Sequence, residues 1–134
     1  MSFLVDTSVW SLLLRRDRPP SVPQVDALVH ALEAGNRVLS TGLILQELLQ
    51  GFSGPKAKQQ IVERFASFPL LNPARDDHIA AAELRNFCRT RGVQTGTIDA
   101  LLAQLCIRHE LTLLTTDVDF DHIAKHTSLR VWAY

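Results

Sequence analysis

The sequence predicts an α/β fold, a three-layer sandwich in which helices cover both faces of a parallel β-sheet. The apolar run 3–5 ends directly at Asp6 and is followed by a helical pattern, which is typical of the first strand-to-helix turn in such folds. Strand and helix patterns then alternate with short connections, which favours parallel strands joined by right-handed crossovers. A length of 134 residues, 46% of them hydrophobic, suits one compact domain, expected to span residues 1–134.

Composition narrows the class of protein further. The 14 Lys and Arg residues balance the 14 Asp and Glu residues, so binding to nucleic acid would depend on local basic patches. No apolar run approaches membrane-spanning length and the segment before Asp6 is too short for a signal peptide, so we expect a cytoplasmic protein without a membrane partner. Cys88 and Cys106 lie apart in apolar surroundings, which favours reduced core residues.

The first half of the chain predicts three helices around a second strand. A helix at residues 8–14 cannot continue through Pro19 and Pro20, and the next helix follows Ser21, a good N-cap residue, and ends at Gly35. A strand at residues 38–39 leads into a third helix, which follows Gly42. Helical spacing predicts the core faces of the second and third helices, which are Val25, Leu28, Val29 and Leu32, and then Ile44, Leu45, Leu48, Leu49 and Phe52.

The second half continues the alternation. Helices are predicted at residues 56–66, from Asp76 or Asp77 to Gly92, after a Thr97 N-cap, and at residues 122–125. Strands are predicted at residues 68–71, 111–115 and 129–132, the first as an edge strand because it contains a proline. The expected core residues of the three long helices are Ile61, Val62 and Phe65, then Leu84, Phe87 and Cys88, then Ile98, Leu101, Leu102, Leu105 and Cys106.

Four acids fall at the positions where an α/β fold places its ligands. Asp6 and Asp117 follow apolar strands, while Glu47 and Asp99 lie in the opening turns of helices, so all four could project over one edge of the sheet. Carboxylates that converge in a small space repel one another unless a cation holds them. Ligation by oxygen alone favours Mg²⁺ or Mn²⁺ over zinc. The sequence therefore predicts a divalent metal, with Asp119 as an alternative to Asp117.

Such a metal suits the hydrolysis of a phosphodiester, because it activates a water and neutralises the charge on the leaving oxygen. Hydroxyl groups flank two of the acids and are expected to hold the carboxylates in place. These are the side chains of Thr7, Ser8, Thr115 and Thr116. Three of the acids also have a simpler interpretation: Asp6 as a helix cap, Asp99 as a charge near a helix dipole and Glu47 as a solvated residue.

The same residues carry a resemblance to a known family. The chain resembles the PIN-domain nucleases, and in order, spacing and length it is similar to the VapC toxins of toxin-antitoxin pairs. The motifs are V-D-T-S at residues 5–8, the glutamate of L-I-L-Q-E-L at 43–48, T-x-D-A-L-L-A at 97–103 and L-L-T-T-D-x-D-F at 113–120. The resemblance implies a five-stranded parallel sheet of order 3-2-1-4-5 and a metal-dependent endoribonuclease.

By this resemblance, the family's metal-binding acids correspond to Asp6, Glu47, Asp99 and Asp117, and Thr115 occupies the family's hydroxyl position. It further implies a homodimer and a cognate antitoxin. A segment of the antitoxin would occupy a groove on this chain, formed by the region of Trp10, Leu13 and Leu14 and by the helix that carries Leu45, Leu49 and Phe52. For the RNA substrate, the basic candidates are Arg15, Arg16 and Arg18 after the first helix and Arg85, Arg89 and Arg91 on the fifth.

Other α/β classes with acids after their strands fit the sequence less well. A response-regulator receiver needs a pair of acids after its first strand, and a phosphatase of the haloacid-dehalogenase type needs a second Asp where this chain has Ser8. The remaining alternative is a non-catalytic PIN-like module that binds RNA or protein. A metal site that depends on Asp6 and Asp117 would distinguish an enzyme from such a module.

Overall fold

The computed structural model describes residues 1–15 and 22–133, in which five strands form one parallel sheet. The strands are β1 (Ser2–Val5), β2 (Arg37–Thr41), β3 (Leu70–Leu71), β4 (Thr112–Leu114) and β5 (Arg130–Val131). Their order across the sheet is β3-β2-β1-β4-β5, and every neighbouring pair runs parallel. Both the fold class and the strand order expected from the sequence are confirmed.

The helices follow the predicted alternation, with ends that shift by a few residues. They are α1 (Thr7–Leu13), α2 (Pro23–Glu33), α3 (Gly42–Gly51), α4 (Pro55–Phe65), α5 (Arg75–Thr90), α6 (Thr97–Arg108) and α7 (Asp119–Ala124). The α2 helix begins with Val22 at its N-cap and Pro23 in its first turn, while Ser21 lies outside the described residues. No described helix is long and apolar enough to cross a membrane.

The centre of the core is the pair of strands that precedes two of the acids. Leu4 and Val5 of β1 pair with Leu113 and Leu114 of β4, and none of the four side chains is exposed to solvent. The ladder continues one step beyond β1, where the backbone N–H of Asp6 donates to Leu114 O at 2.9 Å. Burial of this apolar surface therefore fixes the point at which the chain leaves the sheet at Asp6.

Three predicted core residues are instead exposed, which corrects the sequence interpretation. Val62, Phe87 and Ile98 have exposed fractions of 46%, 41% and 42%. Each lies beside the buried stripe of its helix; in α4, for example, the buried residues are Ile61 and Phe65, four positions apart. Phe87 packs outside the core against the Arg91 guanidinium, whose carbon lies 5.0 Å from the ring centre.

The α6 helix begins at Thr97 with Gly96 at its N-cap, so the predicted Thr97 cap is wrong by one residue. The other end of α6 is tied to α5, because Arg108 pairs with the buried carboxylate of Asp77. A hydrogen bond from the backbone N–H of Ala74 lowers the pKa of Asp77, and Arg108 lowers it further against the opposing effect of burial. These contacts anchor the helix that carries Asp99.

Both cysteines are buried and neither forms a disulfide, as predicted. Burial, together with the nearby Asp6 carboxylate, raises the pKa of the Cys106 thiol to about 12. Cys106 is thus an unreactive core residue beneath the acids.

Candidate functional site

The topology brings the predicted acids to one edge of the sheet. Asp6 follows β1 and Asp117 lies just beyond β4, the strand that pairs with β1. Asp99 lies in the first turn of α6, and Glu47 lies in α3, the helix that follows β2. The carboxyl ends of neighbouring parallel strands meet at the same edge, where open α/β folds bind their ligands.

Two hydroxyl groups hold the Asp6 carboxylate in a fixed orientation. Its Oδ2 atom accepts hydrogen bonds from Ser8 Oγ at 2.8 Å and from Thr115 Oγ1 at 2.9 Å. A hydroxyl has only one proton to donate, so the 3.4 Å contact between these two oxygen atoms is left without a bridging proton. Both protons are therefore directed at Asp6.

Backbone N–H groups donate to the oxygen atoms of these two hydroxyls and so orient them toward Asp6. The N–H of Thr116 donates to Ser8 Oγ at 3.1 Å, and the N–H of Asp117 donates to Thr115 Oγ1 at 3.0 Å. Chains of this kind polarise each member in the same direction and strengthen the last bond. Within the described residues, Asp6 Oδ1 makes no hydrogen bond, so Asp6 presents one free oxygen atom to the site.

The loop after β4 fixes Asp117 as well. Asp117 Oδ1 accepts the backbone N–H of Asp119 at 2.9 Å, which forms the turn that opens α7. Asp117 is half-buried and Asp119 is exposed. In the Asp117 carboxylate, Oδ1 therefore forms the turn, while Oδ2 makes no hydrogen bond in the described part of the chain.

Glu47 is exposed and has one specific contact. Its Oε1 atom accepts a hydrogen bond from Thr7 Oγ1 at 3.2 Å, which links the start of α1 to α3. Adjacent residues of α1 therefore contact two different acids, because Thr7 contacts Glu47 and Ser8 contacts Asp6. Thr116 contributes to this network through its backbone N–H, while its side chain is exposed.

Asp99 shows that the acids interact electrostatically. Burial, together with the negative charges of four other carboxylates, raises the pKa of Asp99 to about 6. In decreasing order of effect these are Asp6, Asp117, Asp119 and Glu47. Asp117 thus acts on Asp99 more strongly than Asp119 does.

The chemistry of this donor set fits a hard divalent cation such as Mg²⁺ or Mn²⁺, because every candidate ligand is a carboxylate oxygen. A cation would also reverse the repulsion that raises the pKa of Asp99. Within residues 1–15 and 22–133, the structure contains no group of three or more Asp, Glu, His or Cys side chains that are close enough together to hold a metal ion as they stand.

A family model described as the PIN domain matches residues 3–126. Ribonuclease VapC11 of Mycobacterium tuberculosis is 30% identical over 135 residues, which cover 98% of each chain. The chain belongs to the VapC family of PIN-domain ribonucleases. This confirms the expected family and its class of function, the ribonuclease toxin of a toxin-antitoxin pair. Ribonucleases of the PIN family are typically metal-dependent.

Solved structures of distant relatives have the same fold. The FitAcB structure from Neisseria gonorrhoeae superposes with a TM-score of 0.75 at 24% identity, covering 98% of this chain and 96% of the other. VapBC2 from Rickettsia felis, bound to a DNA fragment from its promoter, superposes with a TM-score of 0.77 at 16% identity, covering 100% and 99%. At these identities the likeness concerns the fold.

The predicted basic residues are partly engaged in the structure. Arg15 is exposed, whereas Arg16 and Arg18 lie outside the described residues. Arg85 donates through Nε to the carbonyl oxygen of Thr95 at 2.8 Å, so it also holds the loop that leads into α6. Arg89 is exposed and contacts Asn86.

A small cavity that the sequence did not predict opens beside Asp117. Its volume is about 220 Å³, and its walls include Gln24 of α2 and Trp132 near the end of the chain. These residues lie more than a hundred positions apart and belong to no motif, so only the fold brings them together.

Asp99→Asn is expected to raise the melting temperature of the metal-free protein by a few degrees at about pH 8. A carboxyl group whose pKa rises from 3.8 to about 6 on folding contributes stability at low pH, which is lost as the pH increases through about 6. Asparagine removes this penalty, so the gain should shrink at about pH 5, where Asp99 is mostly protonated in the wild type.

Differential scanning fluorimetry in EDTA measures this effect. The matched control is Asp26→Asn, because Asp26 also lies in a first helical turn but is exposed. We expect no gain in this control. A melting temperature of the Asp99 variant that equals the wild type at both pH values would contradict the proposed electrostatic coupling.

Proposed function

We propose that this chain is a Mg²⁺- or Mn²⁺-dependent endoribonuclease whose cation is held by Asp6, Glu47, Asp99 and Asp117, with Asp119 as the alternative to Asp117. The observation that carries the proposal is the hydrogen-bond network at this edge of the sheet, in which Ser8 and Thr115 hold Asp6 and Thr7 holds Glu47. The raised pKa of Asp99, caused by burial and then by the negative charges of the other acids, agrees with this arrangement. Five acids that come from four separate segments of the chain are hard to explain as caps or solvated residues alone.

When bound, the cation would supply an activated water and neutralise the charge on the leaving oxygen. The protein's own contribution is to hold the ligands. Ser8 and Thr115 fix one oxygen of Asp6, and Thr7 fixes Glu47. Because water rather than the ribose 2′-hydroxyl attacks phosphorus, the products should carry a 5′-phosphate and a 3′-hydroxyl.

For RNA binding, we propose arginine residues that follow α1 and lie on α5. Arg15 follows α1, and Arg85 and Arg89 lie on α5. Arginine suits this role because its planar fork binds two phosphate oxygens. Arg16 and Arg18 belong to the same proposal by their sequence positions. With cellular RNA as the substrate, we propose that the enzyme acts in the cytoplasm.

For the antitoxin, we propose the groove between the end of α1 and α4. Two adjacent cavities of about 480 and 600 Å³ share Leu14 and Gln60, and their apolar walls include Leu13, Phe52 and Phe68. Half-buried apolar side chains of this kind accept an apolar segment of a partner. Trp10, expected near this groove, is fully buried against Phe68.

For the homodimer, we propose the surface formed by α5 and α6. Three large apolar side chains are exposed on it, namely Ile79, Phe87 and Ile98. A cavity of about 430 Å³ between the two helices also includes Leu43 and Leu101 in its lining. Large apolar side chains exposed on one surface are typical of a protein interface.

Cleavage of total RNA by the purified, antitoxin-free protein tests the proposed function. We expect discrete fragments with 5′-phosphate ends in Mg²⁺ or Mn²⁺ and none in EDTA. Asp6→Asn and Asp99→Asn should each reduce cleavage by roughly 100-fold or more, as for loss of a group that stabilises transition-state charge. Asp26→Asn is the matched control and should cleave like the wild type.

Two results of this experiment would contradict the proposal. Fragments ending in a 2′,3′-cyclic phosphate would show that the ribose hydroxyl is the nucleophile. Absence of metal-dependent cleavage by folded protein would instead favour a non-catalytic PIN-like module that binds RNA or protein.

Thr115→Val should weaken Mn²⁺ binding by roughly 10- to 100-fold, the usual cost of losing a residue that orients a metal ligand. Valine has the shape of threonine but can neither donate to Asp6 nor accept the N–H of Asp117. Thr115→Ser should retain most of the affinity, because serine keeps the hydroxyl.

Isothermal titration calorimetry measures these affinities. The matched control is Thr112→Val, because Thr112 begins β4, the strand that ends just before Thr115, and its side chain makes no hydrogen bond to an acid in the described residues. Equal Mn²⁺ affinities for wild type and Thr115→Val would mean that Thr115 does not position the metal ligands.

A further inference from the structure

The cavity beside Asp117 extends the candidate site toward β5. Three separate segments form its walls: the start of α2, the loop after β4 and the residues that follow β5. The lining residues used below are Gln24, Thr116, Asp117, Asp121, Val131 and Trp132. Because Asp117 belongs to both the acid group and this wall, a molecule in the cavity would lie next to a phosphodiester at the acids.

The chemistry of the walls favours an uncharged planar group over a phosphate. No lining residue in the described part of the chain is Lys or Arg, and the carboxylates of Asp117 and Asp121 would repel an anion. Trp132 and Val131 supply an apolar surface on which a flat ring can pack. An aromatic face with a few hydrogen-bonding groups is how proteins recognise unpaired RNA bases.

The size of the cavity limits its occupant. A volume of about 220 Å³ is smaller than the pockets that enclose drug-sized ligands, roughly 300 to 1,000 Å³. It suits one base rather than a whole nucleotide. An extruded base is also the part of RNA that an adjacent pocket would receive when the backbone crosses the acids.

Two polar side chains determine which base fits best. Gln24 and Asp121 make no side-chain hydrogen bonds within residues 1–15 and 22–133. An ionised carboxylate only accepts hydrogen bonds, so Asp121 favours a base edge with adjacent N–H groups. Guanine offers its ring N1–H and its amino group side by side, whereas the ring N–H of uracil lies between two carbonyl oxygens. The Gln24 amide can donate to the guanine carbonyl.

We propose that the cavity beside Asp117, lined by Gln24, Asp121 and Trp132, is a base pocket that receives one unpaired guanine of the RNA and thereby determines the cleavage site. The inference rests on the proposed nuclease function. It goes further, because it specifies residues outside the acid group that select the sequence to be cut.

Sequencing the fragment ends from a randomised single-stranded RNA library, cleaved in Mn²⁺, tests the base pocket. Wild type should show enrichment of guanine at one fixed position beside the cut. Gln24→Ala and Asp121→Asn should each reduce that enrichment by roughly tenfold, as for loss of a good base contact. The enrichment is a ratio within each sample, so it does not depend on the total activity of a variant.

Matched controls separate selectivity from general damage. Glu33→Ala changes an exposed residue at the far end of α2, and His122→Ala changes the exposed neighbour of Asp121. Both controls should keep the wild-type guanine enrichment. The melting temperature of each variant, measured in EDTA, confirms that it is folded.

The outcomes distinguish this inference from the proposed function. Cleavage by wild type without guanine enrichment, or unchanged enrichment in both pocket variants, would overturn the base pocket and leave the nuclease intact. No metal-dependent cleavage by wild type would overturn the nuclease, and the base pocket with it.

Discussion

Repulsion among carboxylates at the ends of β1 and β4 is the constraint on which the rest of the site depends. Burial of Asp99, together with the nearby charges of Asp6 and Asp117, raises the pKa of Asp99 to about 6. This arrangement is unfavourable by itself, so the surrounding structure must hold it. The fully buried side chains of Leu4, Val5, Leu113 and Leu114 do so by fixing the two central strands in the core.

The polar contacts around the acids complete this support. Backbone N–H groups after β4 orient the hydroxyls of Ser8 and Thr115, and those hydroxyls hold one oxygen of Asp6. At the far end of α6, Arg108 and Asp77 anchor the helix that carries Asp99. These contacts hold the acids in position but do not neutralise their negative charge. A divalent cation would neutralise that charge.

Much of this arrangement could be predicted from the sequence because it depends on local patterns. A buried strand followed by an acid is readable at Asp6 and Asp117, and strand order followed from the family resemblance. Exposure of Val62, Phe87 and Ile98 could not be predicted, because apolar spacing alone does not show how wide the buried face of a helix is. The cavity formed by Gln24 and Trp132 depends on tertiary packing between distant segments.

The central claim is that these carboxylates share one cation, and metal-linked proton release tests it most directly. Mn²⁺ is titrated into metal-free protein by calorimetry at about pH 6 and about pH 8, in two buffers of different ionisation enthalpy. With the pKa of Asp99 at about 6, binding should release a substantial fraction of a proton at the lower pH and almost none at the higher. The Asp99→Asn variant should show no such release. Mn²⁺ binding without proton release at about pH 6, or no binding, would contradict the account.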